Sequence, residues 1–268
     1  MTATDLLEQV VREVQKGIAY QDVHPGLIRR VASQMLQRKR NFKEVVKATR
    51  NKIHQVGGAY FEQDFPYERW QAELTLIDWQ DKTRLSAYCR NIMQQHASTR
   101  ERLVILETFY RTLFEPFMPV SSVLDLACGL NPLALPWMPL APQATYLACD
   151  IYGNLVSFLN GFLAHLHQNG KVEWWDLLEG SPSHPVQVAL LLKAIPCLEQ
   201  LDKNIALSLL QSIQAEHVVV SFPAHSLSGR RKGMPENYET RFRNLTSQLP
   251  WRVKRYEFPG EMVFVLSR

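Results

Sequence analysis

The sequence has few cysteines, and the four it has, Cys89, Cys128, Cys149 and Cys197, lie far apart with no C-x-x-C pair. That spacing excludes a disulfide framework and a cysteine-ligated zinc site, and no metal is expected. Apolar runs of about 18 residues are missing, so no membrane-spanning segment is expected. The first residues already carry Asp5, Glu8, Arg12 and Glu13, which is not the pattern of a secretory leader. The expectation is a cytoplasmic protein that acts as a monomer. There is also no G-x-G-x-x-G, so a turn that cradles a pyrophosphate is not indicated. No internal repeat and no low-complexity linker interrupts the chain.

What is present fits one large domain, or a catalytic domain with an accessory one: 268 residues, 46% of them hydrophobic. The net charge of +4 is modest but unevenly spread. From Arg29 to His54 there are nine Lys/Arg and one acid, Glu44; from Gly229 to Arg255 there are eight against Glu236 and Glu239. Two basic blocks on a nearly neutral chain point to a polyanionic partner, although a solvated basic face would read the same.

Up to about Pro119 the apolar spacing is helical. Phe42, Val45, Val46, Thr49 and Ile53 form one stripe. Lys43, Lys47, Arg50 and His54 share another face, placed to meet phosphates, and Gly57-Gly58 stops the helix. Further helices are expected over Asp5–Lys16, Pro25–Arg38, Tyr67–Trp79 and Lys82–His96. After Pro119 come short β-branched runs: Ser122–Leu126, Thr145–Cys149, Val172–Trp175, Val186–Leu192, His217–Phe222, Arg252–Phe258 and Met262–Leu266. The first five alternate with stretches long enough for crossover helices, which implies a parallel sheet covered on both faces. The last two, joined by Pro259-Gly260, form a hairpin. This is the layout of an α/β, Rossmann-like seven-stranded methyltransferase sheet behind a helical N-terminal domain. The division expected is 1–95 and 96–268.

The sharpest local signal is Val123-Leu124-Asp125-Leu126-Ala127-Cys128-Gly129-Leu130-Asn131-Pro132. A strand ends in a carboxylate and turns through small residues, at the place where open α/β sheets bind ligands. Gly129 permits close backbone approach, and Asp125 can accept from a cationic amino group. Asp150, closing the second strand, suits ribose hydroxyls; Asp176, closing the third, suits an adenine amine. Each alone reads equally as a helix cap; three acids at three consecutive strand ends favour a shared site. Ala127, Ile151 and Leu177 adjoin these acids and join the expected cofactor set. Lys193 ends the fourth strand at the same edge. Like Arg230, it is expected outside the core.

With these residues in view, the chain resembles the aminoglycoside-resistance 16S rRNA (guanine(1405)-N7)-methyltransferases of the Arm/Rmt type. The shared motifs are His96-Ala97-Ser98-Thr99-Arg100-Glu101-Arg102-Leu103, Val123 to Leu135, Ser221-Phe222-Pro223, Ser226-Leu227-Ser228-Gly229-Arg230 and Lys232-Gly233-Met234. Weaker agreement runs through Lys52-Ile53-His54, Gly58-Ala59-Tyr60, Asp150-Ile151, Lys193 and Asn237-Tyr238. His225 and Arg231 depart from the family pattern. The resemblance implies S-adenosyl-L-methionine as cofactor and a helical segment, 1–95, that docks on the 30S subunit. It also implies methylation of a decoding-site guanine of 16S rRNA. It gives Arg102 the cofactor's carboxylate, helped by Ser98, and gives Lys193 and Arg230 the placing of the base. Lys43, Lys47, Arg50, Ser226, Arg230, Arg231, Lys232 and Met234 would hold RNA. The residues of the first motif, read alone, give only a helix start, with Ser98 as cap and Glu101 closing a capping box. Two rivals stand beside this reading: a methyltransferase of another base (adenine N1 of 16S rRNA, or tRNA), and a catalytically silent RNA-binding protein.

Overall fold

The structure, a computed structural model, describes residues 2–39, 41–57, 65–224 and 234–268. The helical part begins with α1 (Ala3–Gln15), started by a capping box between Thr2 and Asp5. Then come α2 (Pro25–Arg38), with proline in its first turn, and α3 (Phe42–Gly57). The stripe expected on α3 is its inner face: Val45, Val46, Thr49, Ile53 and Val56 are buried. Next are α4 (Tyr67–Leu74), α5 (Lys82–Met93), α6 (Ala97–Arg102) and α7 (Leu106–Phe114). Two of these end earlier than their periodicity implies, because local side chains take over the backbone groups. After α4, Thr75 Oγ1 donates to Ala72 O at 2.8 Å and Asp78 Oδ1 accepts from Gln80 N at 2.9 Å. Asp81 then caps α5, and Thr99 Oγ1 donates to the terminal carbonyl of Met93 at 2.7 Å.

The remainder contains β1 (Val120–Leu126), β2 (Leu140–Asp150), α8 (Gly153–His165), β3 (Gly170–Trp174) and β4 (Val186–Leu192). After these come α9 (Ile195–Leu198), α10 (Ile205–Ser212), β5 (Ala215–Pro223), α11 (Met234–Thr246), β6 (Arg252–Phe258) and β7 (Glu261–Ser267). The seven strands form one sheet in the order β3-β2-β1-β4-β5-β7-β6. The first five run parallel, and β7 enters antiparallel between β5 and β6. The hairpin turns at Gly260, whose φ of 79° is open to glycine. The fold expected from the alternation of runs is therefore present.

The crossovers are not all helical. Between β1 and β2 the chain makes a 3-10 segment, Asn131–Trp137, because Pro132 and Pro136 remove donors an α-helix needs. Between β3 and β4 there is only a short 3-10 turn, Leu177–Glu179. The N-terminal helices cover the sheet faces that those crossovers leave bare. Alternate strand residues point to opposite faces. Val123, Val188, Leu190 and Val219 pack with α4, α5, α7 and α8. Leu124, Ala189, Leu191 and Val220 pack with α1, α2, α3 and α10. Each buried leucine or phenylalanine contributes about 1.5–3 kcal/mol, so the helical segment and the sheet stabilise one another through shared cores. The chain leaves β1 toward β2 and β3, then returns to β4 and β5. The carboxyl ends of β1 and β4 thus flank the topological switch point, where such sheets hold ligands.

Candidate cofactor and substrate site

The turn after β1 is bent by two left-handed residues, Ala127 and Gly129, with φ of 51° and 50°. Glycine adopts this freely, whereas Ala127 holds it at a cost of about 1 kcal/mol. The bend is secured from β2. Cys128 N donates to Cys149 O at 3.0 Å, Gly129 N to Asp150 Oδ2 at 2.8 Å and Ile151 N to Asp150 Oδ1 at 2.8 Å. Burial raises the Asp150 carboxyl above its ordinary range, and these backbone N–H groups work against that. Asp150 is thus a clamp on the turn, and with three backbone N–H groups on it the carboxylate still has acceptor capacity to spare.

A cavity opens beside this turn. Its wall includes Ser98, Arg102, Ala127, Gly129, Asp150, Ile151, Asp176, Leu177 and Lys193, all singled out from the sequence. Leu27, Trp175, Leu192, Leu198 and Leu201 supply apolar surface. Asp176 is 2% exposed. Its Oδ1 accepts from Leu178 N at 3.0 Å as a cap, while Oδ2 has no hydrogen-bond partner. Burial raises its carboxyl as well, with the Leu178 N–H and the Arg30 and His24 charges opposing. A buried carboxylate oxygen without a donor is costly, and here the cavity is beside it.

Asp125 does not line the cavity. Its Oδ2 accepts from Asn131 Nδ2 at 2.8 Å and from Tyr146 OH at 2.6 Å, one layer below the wall. Direct reception of a ligand's amino group, the role expected from its strand-end position, is replaced by support of Asn131. Burial pushes its carboxyl up to about 7, against those hydrogen bonds and the Arg102 charge. Asn131 Oδ1 in turn accepts from Arg102 Nη1 at 2.9 Å and Tyr110 OH at 2.5 Å. Arg102, 1% exposed, forms a two-pronged pair with Glu261 at 3.1 and 2.8 Å. Burial favours protonation of Glu261, but the Arg102 and Lys193 charges outweigh it and keep the carboxyl below its ordinary range.

Lys193 is only 3% exposed, which corrects its placement outside the core. It is left-handed, φ 57°, and its N–H meets both the carbonyl and the hydroxyl of Ser221. Its Nζ bonds Glu101 at 2.5 Å and lies 3.6 Å from Glu261. The capping box expected at Ser98 and Glu101 does not form: His96 is the N-cap residue, and Glu101 turns to Lys193 instead. Ser98 Oγ contacts His96 Nδ1 at 3.2 Å. Burial, reinforced by Arg102, Lys193 and Arg100, pushes His96 down to about 4, so it faces the Gly129 turn uncharged.

Residues 16–265 match the family model described as ribosomal RNA methyltransferase (FmrO). The chain belongs to this family. It is 35% identical to a 16S rRNA (guanine(1405)-N(7))-methyltransferase of Micromonospora echinospora, over 98% of this chain and 97% of that one. It is 34% identical to one of Micromonospora rosea, over 100% and 98%. Among solved structures it resembles the 16S rRNA methyltransferase RmtF in complex with S-adenosyl-L-homocysteine: TM-score 0.83, 30% identity, 100% and 99% covered. It likewise resembles the 16S rRNA methylase RmtB: TM-score 0.80, 26% identity, 98% of each chain covered.

For a ribosomal RNA methyltransferase the basic surface matters as much as the cavity. Lys43 and Lys47 are exposed on α3 with no ion pair among the described residues. Arg50, expected beside them, instead donates to Glu13 O at 2.5 Å and Val14 O at 3.3 Å, capping α1, with its guanidinium over Tyr20. Those carbonyls lie in the last turn of α1, where a cation is favoured. In the second basic block, Arg241 pairs with Glu199, and Arg243 and Arg255 with Glu239. His225, Ser226, Arg230, Arg231 and Lys232 lie outside the described residues; Met234 opens α11. Sequence reasoning missed Glu261, Asn131 and His96. Asn131 stands within the quoted motif and His96 opens another, whereas nothing local marks Glu261, which arrives from the far hairpin. It also missed Leu27, Val56 and Gly57, by which α2 and α3 reach the cavity.

Proposed function

We infer that this chain transfers the methyl group of S-adenosyl-L-methionine to N7 of guanine 1405, in the decoding A-site of 16S rRNA. The substrate is the 30S subunit in the cytoplasm, and the product confers aminoglycoside resistance. The observation that carries this reading is similarity along essentially the whole chain to proteins named for that reaction.

The cavity suits a nucleoside that bears an amino-acid tail. Asp176 Oδ2 has no donor of its own, which an adenine amine would supply. Asp150 keeps lone pairs for ribose hydroxyls. Each nitrogen of Arg102 makes one hydrogen bond, leaving a second N–H on both Nη atoms for a carboxylate, with Ser98 beside it. Ala127, Gly129, Ile151 and Leu177 complete the wall. When bound, S-adenosylmethionine supplies an electrophilic methyl on a sulfonium. Guanine N7 offers an in-plane lone pair and no proton, so no residue is assigned as general base. The protein's part is placement, with Lys193 and Arg230 at the base, and exclusion of water by the apolar walls. The target base leaves its stack at a cost of a few kcal/mol, offset by contacts from Ser226, Arg231, Lys232 and Met234. Lys43 and Lys47 bring the 30S surface to the enzyme.

The test is direct. 16S rRNA from expressing cells is expected to cleave at guanine 1405 after borohydride and aniline, and the cells to resist gentamicin and kanamycin while neomycin stays active. Resistance that extends to apramycin, with no cleavage, would establish the adenine-N1 alternative.

A further inference from the structure

Gly57 ends α3, and its backbone is not in the left-handed region. Alanine is the better helix former, so the backbone gives no reason for glycine here. The reason is space. A Cβ built on Gly57 would lie 2.0 Å from the Tyr152 hydroxyl, but 3.4 Å from Cζ, an ordinary contact. Tyr152 follows the Asp150-Ile151 pair, and Val56, Gly57, Ile151 and Tyr152 all line the cavity. The backbone there is tied to the N-terminal segment as well. His24 N donates to Ile151 O at 2.8 Å, Gly153 N to Asp22 O at 2.7 Å, and Val23 bridges Tyr152. The Tyr152 backbone is thus held, and a side chain at position 57 displaces the Tyr152 ring along the cavity wall.

We propose that Gly57 is a positioning residue for the cofactor: its bare Cα lets the Tyr152 hydroxyl seat against α3 and so sets the width of the cavity next to Asp150. The helix that presents Lys43 and Lys47 near its start is, at its other end, part of the cofactor site. The N-terminal helical segment thus has a role in cofactor binding besides RNA docking. This proposal rests on the cofactor reading above.

The experiment is calorimetric titration of the full chain with S-adenosylhomocysteine, on the wild type, Gly57→Ala, Tyr152→Phe and the double variant, with thermal denaturation of each. Gly57→Ala is expected to weaken binding at least tenfold. Tyr152→Phe, which removes the atom that would clash, sets the reference affinity for the double variant. The double variant is expected to bind within about threefold of Tyr152→Phe and more tightly than Gly57→Ala, a rescue that general damage to the fold would not give. Wild-type affinity in Gly57→Ala, or a double variant as weak as Gly57→Ala, overturns the proposal alone. A wild type that does not bind overturns the cofactor reading, and this proposal with it.

Discussion

Replacing Asp176 by asparagine separates the cost of a buried carboxylate from its use. In the folded chain Oδ1 caps the 3-10 turn through Leu178 N, and Oδ2 stands without a donor at the cavity. An amide keeps the cap through its oxygen and removes a charge that burial already disfavours. The amide's NH2 is unpaired in its turn, but an unpaired neutral group costs less than an unpaired buried charge, so Asp176→Asn is expected to be as stable as wild type or more so. For a chain of this size each kcal/mol is worth roughly 2–4 °C in Tm. Binding is expected to move the other way. On the proposed reading the adenine amine donates to the anionic Oδ2, a charged hydrogen bond worth about 1.5–3 kcal/mol. The amide turns its NH2 toward that amine, donor against donor. Flipping it would set the NH2 against Leu178 N and lose the cap. Affinity for S-adenosylhomocysteine, read by calorimetry, is expected to fall roughly 10- to 150-fold while Tm holds or rises. Affinity within twofold of wild type, or a parallel loss of both, would refute the assignment.

Arg102→Ala leaves Glu261 buried without its main partner, and is expected to cost about 3–5 kcal/mol of stability. Glu261→Gln in the same chain should recover part of it, and a denaturation cycle showing coupling below about 1 kcal/mol would contradict the pairing. Asp125 gives a pH signature. Its folded pKa near 7 lies above its ordinary 3.8, so its contribution is complete below about pH 4 and lost as pH rises through 7. That is about 4 kcal/mol at most. His96, depressed to about 4, acts in the opposite sense, losing its contribution as pH falls below 6.5 toward 4. Comparing wild type with Asp125→Asn by denaturation at pH 5 and pH 8 isolates the Asp125 part, and identical profiles would rule it out. Lys43→Glu with Lys47→Glu is expected to abolish 30S binding and leave S-adenosylhomocysteine affinity unchanged. Wild-type 30S binding should weaken steeply with salt, and sedimentation with 30S subunits checks both. Arg50 is left intact because its loss would uncap α1.

Most of the fold was legible because its signals are local. The continuous apolar run of β4, the stripe on α3 and the Pro259-Gly260 turn each depend on residues a few positions apart. What was misjudged depends on competition over short distances or pairing over long ones. Periodicity carried the helices past Leu74 and Met93, where Thr75, Asp78 and Thr99 redirect the backbone. Length alone suggested a helix between β1 and β2, where two prolines forbid one.

The site divides in the same way. Strand ends converge by topology, so Asp150, Asp176 and Lys193 could be brought to one edge without knowing any contact. Depth could not be inferred. Asp125 and Asp150 both belong to strand ends, yet one supports Asn131 beneath the wall and the other clamps the Gly129 turn at its surface. The sequence separation of Arg102 and Glu261 is 159 residues, and no local pattern connects them. Glu261 nevertheless decides how the two cations behave. With it, Arg102 and Lys193 share a buried counter-charge; without it, among the described residues Arg102 would have no ion-pair partner and Lys193 only Glu101. The hairpin that closes the sheet therefore does more than complete the fold. It delivers the carboxylate that allows two buried positive groups to stand beside the same ligand site.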